Sequence, residues 1–181
     1  LVAELTDGNR IFGEQAIDMP RGTHREKIRD VYLVPLHSDQ VRVYPPVIKA
    51  IKAAELIILG PGDLFTSILP NLIVPGVTEA LQSTAAPIFF VINVMNKYGE
   101  THRFKARDFV MELENVLQRK LDGIIYNTAR TDASLLQAYG EQKAEVVVGD
   151  PSDEGWARRR KAASDVGEPA GGGVRHAEGD R

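Results

Sequence analysis

The 181-residue sequence predicts an α/β domain built on a largely parallel sheet. Three observations carry that expectation. Short, continuously apolar runs, "ELIILG" (55–60), "PIFFVINVM" (87–95) and "GIIYNT" (123–128), suit strands covered on both faces. Segments of helical period lie between them. The clearest is "ARDFVMELENVLQRKL", where Phe109, Val110, Leu113, Leu117 and Leu121 recur on one stripe with charges between. The two kinds of segment alternate from about residue 31 to 149, the pattern of strand–helix–strand units.

Taken in order, "LVAEL" and "RIFGEQAI" flank Asp7-Gly8, a dipeptide of tight hairpins whose two central residues take positive φ. Residues 19–29, "MPRGTHREKIR", are polar and basic with Pro and Gly, and read as a loop. "DVYLVPL" is strand-like. In "QVRVYPPVIKAIKAA" the chain turns helical at Pro45-Pro46, where a missing N–H costs nothing, and Val47, Ile48, Ile51 and Ala54 share a face. "VPGVTEALQST" reads as helix, "ASLLQAYGEQKA" as a short helix and "EVVVG" as a last strand. Residues 151–181 change character. They carry much charge and a Gly-Gly-Gly run but few large apolar side chains, so a loose tail is expected after a domain spanning 1–150.

Composition narrows the chemistry. A formal net charge of −3 argues mildly against bulk binding of nucleic acid. The absence of cysteine excludes disulfides and thiolate metal sites, and His24, His37, His102 and His176 show no ligand spacing. With that charge balance nucleic acid is not an expected partner; no apolar run approaches 18 residues, so neither is a membrane, and a cytoplasmic location is expected.

In open parallel sheets ligands bind beyond the carboxyl ends of the strands. Three such exits are polar. In "GPGDLFTSILPN", Gly60 and Gly62 allow close approach to the backbone, Thr66 and Ser67 offer hydroxyls, and Asp63 suits a ribose hydroxyl, a base edge or a cation. In "INVMNKYGETHRF", Asn93 and Asn96 offer amides, and Gly99, Glu100 and Thr101 close the loop. The third exit presents Asn127, with Asp132 as a helix cap and Tyr139 on the helix beyond. Each loop has a plain structural alternative as a turn or cap, and taken singly that alternative carries more weight. Their convergence at neighbouring strand ends is what points to a phosphate-bearing, nucleotide-like ligand.

The string "AAELIILGPGDLFTSILPNLIVPGVTEAL", followed by "FVINVMNKYGET", resembles the YvcK/CofD-like family, and "GEQAID", "RVYPPVIKAIKAAELIILG" and "DGIIYNT" fall in that family's order over roughly residues 5–150. The resemblance implies a Rossmann-like three-layer sandwich, incomplete at its N-terminus. The family's GGGTG-type and DDGGSSG-type segments are not among these residues, so an N-terminally truncated piece is expected. It further implies a cytoplasmic gluconeogenesis factor that binds a UDP-sugar and regulates carbon metabolism, cell shape and wall growth. The alternative it implies is a transferase moving a phospholactyl group from a guanosine diphosphate-linked donor to a deazaflavin. Whether any reaction is catalysed stays open, as does a homodimer. No cofactor is expected under the first reading, and Mg²⁺, held by Asp63 with Glu100, under the second. By resemblance Tyr139 and Arg175 join the ligand site.

Overall fold

The computed structural model describes residues 1–19, 25–36, 39–128 and 143–149. The chain opens with an antiparallel hairpin, β1 (Val2–Leu5) and β2 (Arg10–Phe12), in register Val2↔Phe12. Of the turn pair only Gly8 takes positive φ, at 87°. Asp7 instead accepts the Asn9 N–H with its carboxylate at 2.9 Å, so a side-chain bond does part of what a second left-handed residue was expected to do. After α1 (Glu14–Asp18), β3 (Ile28–Tyr32) pairs with the other edge of β1, giving an antiparallel sheet in the order β2-β1-β3. β3 starts inside the stretch expected to be loop, and it joins this antiparallel sheet rather than the parallel one.

α2 (Pro45–Ala53) begins on its two prolines as expected, but Val47 is exposed, and Ile48 and Ile51 are only half-buried. β4 (Ile57–Leu59) leads into a single π-helical turn, Leu64–Ile68, in which Ile68 N–H reaches back five residues to Asp63 O at 2.9 Å. That turn runs directly into α3 (Leu69–Leu72). α4 (Val77–Ser83) follows, its start stapled by Gly76 N–H donating to Glu79 Oε2 at 2.9 Å. β5 (Ile88–Val91), α5 (Ala106–Leu117) and β6 (Gly123–Ile125) complete the described elements.

β4, β5 and β6 form a parallel sheet in that order, registered Ile57↔Ile88 and Phe89↔Gly123. Alternation along β5 sends Ile88 and Phe90 into the core, where they join Phe109, Leu113 and Leu117 of α5. Burying each such side chain contributes about 1.5–3 kcal/mol. The opposite face carries Ile58 and Ile125, both about half-exposed. A Cβ on Gly123 would stand 2.1 Å from the Phe89 ring, so the absent side chain makes room for that ring across the strand pair.

The result is an α/β fold whose parallel sheet is of the Rossmann-like kind. "EVVVG" departs from expectation: it forms one antiparallel bridge, Val146 to Met95, with Val147 N–H donating to Val94 O at 2.9 Å. Three apolar residues gain a strand's hydrogen bonds only where a neighbour lies parallel or antiparallel over several residues, and here the neighbours are the irregular loop after β5 and Ala106, whose N–H donates to Val148 O at 3.0 Å. Most of the expected helix around Tyr139, and the expected tail with Arg175, lie outside the described residues. Among the described residues no single helix is long and apolar enough to cross a membrane.

Candidate functional site

The site grows from two adjacent parallel strands. Where β4 ends, Gly60 takes φ 79° and a cis bond to Pro61 turns the chain out of the sheet. A Cβ on Gly60 would meet Val91 O of β5 at 2.7 Å, so only glycine permits this exit so close to the neighbouring strand. β5 ends one residue later in sequence register, and Asn93 Oδ1 accepts the Gly62 N–H at 3.0 Å. This bond ties the two strand exits together. It also occupies the amide that the sequence offered to a ligand, so Gly62 shapes the loop with that N–H already satisfied.

Beyond Asn93 the chain is held by its own polar atoms. Asn96, buried, exchanges bonds with Glu145: Asn96 N–H donates to Glu145 O, and Glu145 N–H donates to Asn96 Oδ1, both at 2.8 Å. Lys97 N–H donates to Thr101 Oγ1 at 3.0 Å, closing a tight loop in which Gly99 takes φ 82°. Thr101 therefore closes this loop and does not cap α5; Asp108 does that, its carboxylate accepting the Lys105 N–H at 2.8 Å.

The loop delivers Lys97 to the centre of three carboxylates. Its ammonium donates to Asp18 Oδ1, to Asp63 Oδ2 at 2.8 Å, and lies 3.3 Å from Glu100 Oε1. The carboxylate oxygens of Asp18, Asp63 and Glu100 lie within 4.8 Å of one another, a spacing a cation could bridge. Glu100 is 2% exposed, and the buried Thr66 hydroxyl donates to its other oxygen at 3.4 Å. Burial is the main force on Glu100. Lys97 opposes it, Asp63 and Asp18 reinforce it, and the carboxyl is pushed up to about 7. Lys97 loses hydration too, but bonds to Asp18 and Asp63 and attraction to Glu100 outweigh that loss, so its ammonium is held more firmly than usual. The two directions are compatible: the lysine faces three acids, whereas Glu100 shares one ammonium with two like charges.

Arg25 feels the charge of Glu100 as well. One guanidinium nitrogen, Nη1, donates to Ile17 O at 2.5 Å, while Nε and Nη2 are buried with no hydrogen-bond partner. Burial lowers its pKa, and the charge of Glu100 opposes the change.

A cavity of about 740 Å³ opens over this cluster, lined by Asp18, Pro61, Asp63, Asn93, Lys97 and Tyr98 among others. Lys143 lies 4.4 Å over the Tyr98 ring, and the His102 ring meets the Tyr98 ring edge-on at 5.5 Å between centroids. Of the residues expected at the site, Asp63, Asn93 and Asn96 line the cavity. Thr66, Gly99, Glu100 and Thr101 are buried behind it. Gly60 and Gly62 bend the wall. Ser67 is exposed on the π-helical turn and Asn127 is exposed past β6, and neither is among the lining residues. Tyr139 and Arg175 lie outside the described residues. Sequence reasoning missed Asp18, Lys97 and Tyr98, and read Arg25 only as part of a basic loop. One signal was present: Asp63 and Glu100 were both candidates, and Lys97 stands three residues before Glu100 inside the same quoted loop.

Comparison with known proteins agrees with this architecture. The family profile described as 2-phospho-L-lactate transferase CofD matches residues 1–165. The chain is 35% identical over 147 residues to the gluconeogenesis factor of Listeria monocytogenes, covering 81% of this chain and 43% of that one. It is 40% identical over 151 residues to a "Putative gluconeogenesis factor" of Aquifex aeolicus, covering 83% and 45%. A crystal structure from Bacillus halodurans, described as a member of the UPF0052 family, superposes with TM-score 0.76 at 30% identity, covering 90% of this chain and 49% of that one. The chain thus spans less than half the length of the curated relatives it matches.

Proposed function

Since this chain belongs to the CofD family, we propose that it forms part of a gluconeogenesis-factor-type protein whose site takes the diphosphate of a nucleotide-sugar such as UDP-GlcNAc, and that it regulates carbon metabolism, cell shape and wall growth through that binding. The observation that carries the reading is the cavity of about 740 Å³ at the carboxyl ends of β4 and β5, with the Lys97 ammonium on its wall. The ammonium offsets part of the charge of the three acids beside the space, Asn93 and Asn96 border it, and the Tyr98 ring offers a surface for a base or sugar. A cytoplasmic location belongs to the same reading.

One observation favours a second reading. The converging oxygens of Asp18, Asp63 and Glu100 suit Mg²⁺, which a phospholactyl transferase acting on a guanosine diphosphate-linked donor would use to neutralise charge in transfer. Titration calorimetry with UDP-GlcNAc and with GDP, each with and without Mg²⁺, separates the two. Metal-free binding of UDP-GlcNAc supports the regulator. Binding of GDP that requires Mg²⁺, with turnover of a deazaflavin acceptor, supports the transferase and overturns the first reading.

A further inference from the structure

Three carboxylates that converge within 4.8 Å would repel one another and any phosphate brought near them, unless a cation stands between. In this protein a side chain stands there. Lys97 contacts all three, at 2.8 Å to Asp63, 3.3 Å to Glu100 and in a direct hydrogen bond to Asp18. The geometry is selective in two respects. Glu100 Oε1 is buried with no hydrogen-bond partner, so the Lys97 ammonium is the charge that compensates it. Asp18, Asp63 and Lys97 are each about one-third exposed and line the cavity, so the same ammonium faces both the acids and the empty space. The backbone holds it there through the Thr101 hydroxyl and the left-handed Gly99.

We propose that Lys97 is the built-in cation of this cavity, occupying the place a divalent ion would take between Asp18, Asp63 and Glu100 and making diphosphate binding independent of metal. For its ligand this rests on the nucleotide-diphosphate reading above; for its metal behaviour it does not. With Glu100 ionised, three acids face two cations, Lys97 and Arg25, leaving one net negative charge; without Lys97 there are two. Removing one positive charge about 6 Å from one phosphate charge, at an effective dielectric of about 20 to 40, weakens binding roughly 10- to 100-fold.

The test uses the 181-residue chain and its Lys97→Met variant, with two probes. Manganese binding is followed by electron paramagnetic resonance, and UDP-GlcNAc binding by calorimetry with and without Mg²⁺. The wild type is expected to leave Mn²⁺ free at submillimolar concentration while Lys97→Met binds it. UDP-GlcNAc affinity of the wild type should change less than about twofold with Mg²⁺. That of Lys97→Met should fall roughly 10- to 100-fold without Mg²⁺ and recover when it is added. Lys97→Gln, which keeps a polar head, repeats both measurements should Lys97→Met fail to fold. Mn²⁺ bound by the wild type as tightly as by the variants overturns the proposal, and so do folded variants that bind none. If the manganese pattern holds but the wild type ignores UDP-GlcNAc, the lysine keeps its role and the nucleotide reading falls. If the wild type binds UDP-GlcNAc and the variants bind it equally well without metal, the lysine assignment falls and the nucleotide reading stands.

Discussion

Replacing Glu100 by Gln is expected to stabilise the protein above neutral pH and to flatten its dependence on pH. The carboxyl is buried, shares one ammonium with two other acids, and is pushed up to about 7 from an ordinary value of 4.5. An acid with a raised pKa binds its proton more tightly in the folded chain, so its stabilising contribution is complete below about 4.5 and is lost as pH rises through about 7. At about 1.4 kcal/mol for each pH unit, ionising Glu100 costs the fold up to about 3 kcal/mol by pH 8. Glutamine keeps the shape and an acceptor for the Thr66 hydroxyl while removing the buried charge. Urea denaturation of both proteins at pH 5.5, 7 and 8.5 should show the wild type losing stability across the range and Glu100→Gln losing less, with the variant ahead by about 2–3 kcal/mol at the top. Burial raises Glu112 as well, with Asp108 and Asp30 adding to it, so the difference between the two proteins is the diagnostic quantity. Equal slopes, or a variant less stable than the wild type at pH 8.5, would show that the Lys97 attraction outweighs burial and would refute the reasoning.

Two further substitutions separate backbone demands from side-chain bonds. Gly60→Ala places a Cβ 2.7 Å from Val91 O at a left-handed φ and should cost about 2 kcal/mol or more, whereas Gly62→Ala meets only the end of the Ile68 side chain at 3.1 Å and should stay within about 1 kcal/mol, both read from denaturant midpoints. Arg119 binds Leu81 O at 2.9 Å, Thr84 O at 3.0 Å, Ala86 O at 3.2 Å and Asp122 Oδ2 at 3.0 Å; Arg119→Ala strands these acceptors between α4, β5 and α5 and should lower stability by about 2–3 kcal/mol in thermal melts.

What local pattern alone specified is the set of regular elements. The stripe of Phe109, Val110, Leu113 and Leu117 is the buried face of α5, Pro45 and Pro46 open α2, and the runs around Ile57, Ile88 and Ile124 are the parallel strands, because side-chain period and φ restriction act within a few residues. Gly60 and Asn93 were readable as strand-exit residues for the same reason. What the tertiary structure decided is which polar atoms meet. β3 pairs with β1 across more than twenty residues, "EVVVG" meets the loop after β5 and the start of α5 and not a strand, and Asp18, from the short α1, comes beside Asp63 and Glu100 from two other exits, with Lys97 between. Electrostatic energy depends on distance in space and on burial, not on separation along the chain. A lysine in a polar loop therefore reads as an ordinary surface charge until folding sets three carboxylates around it.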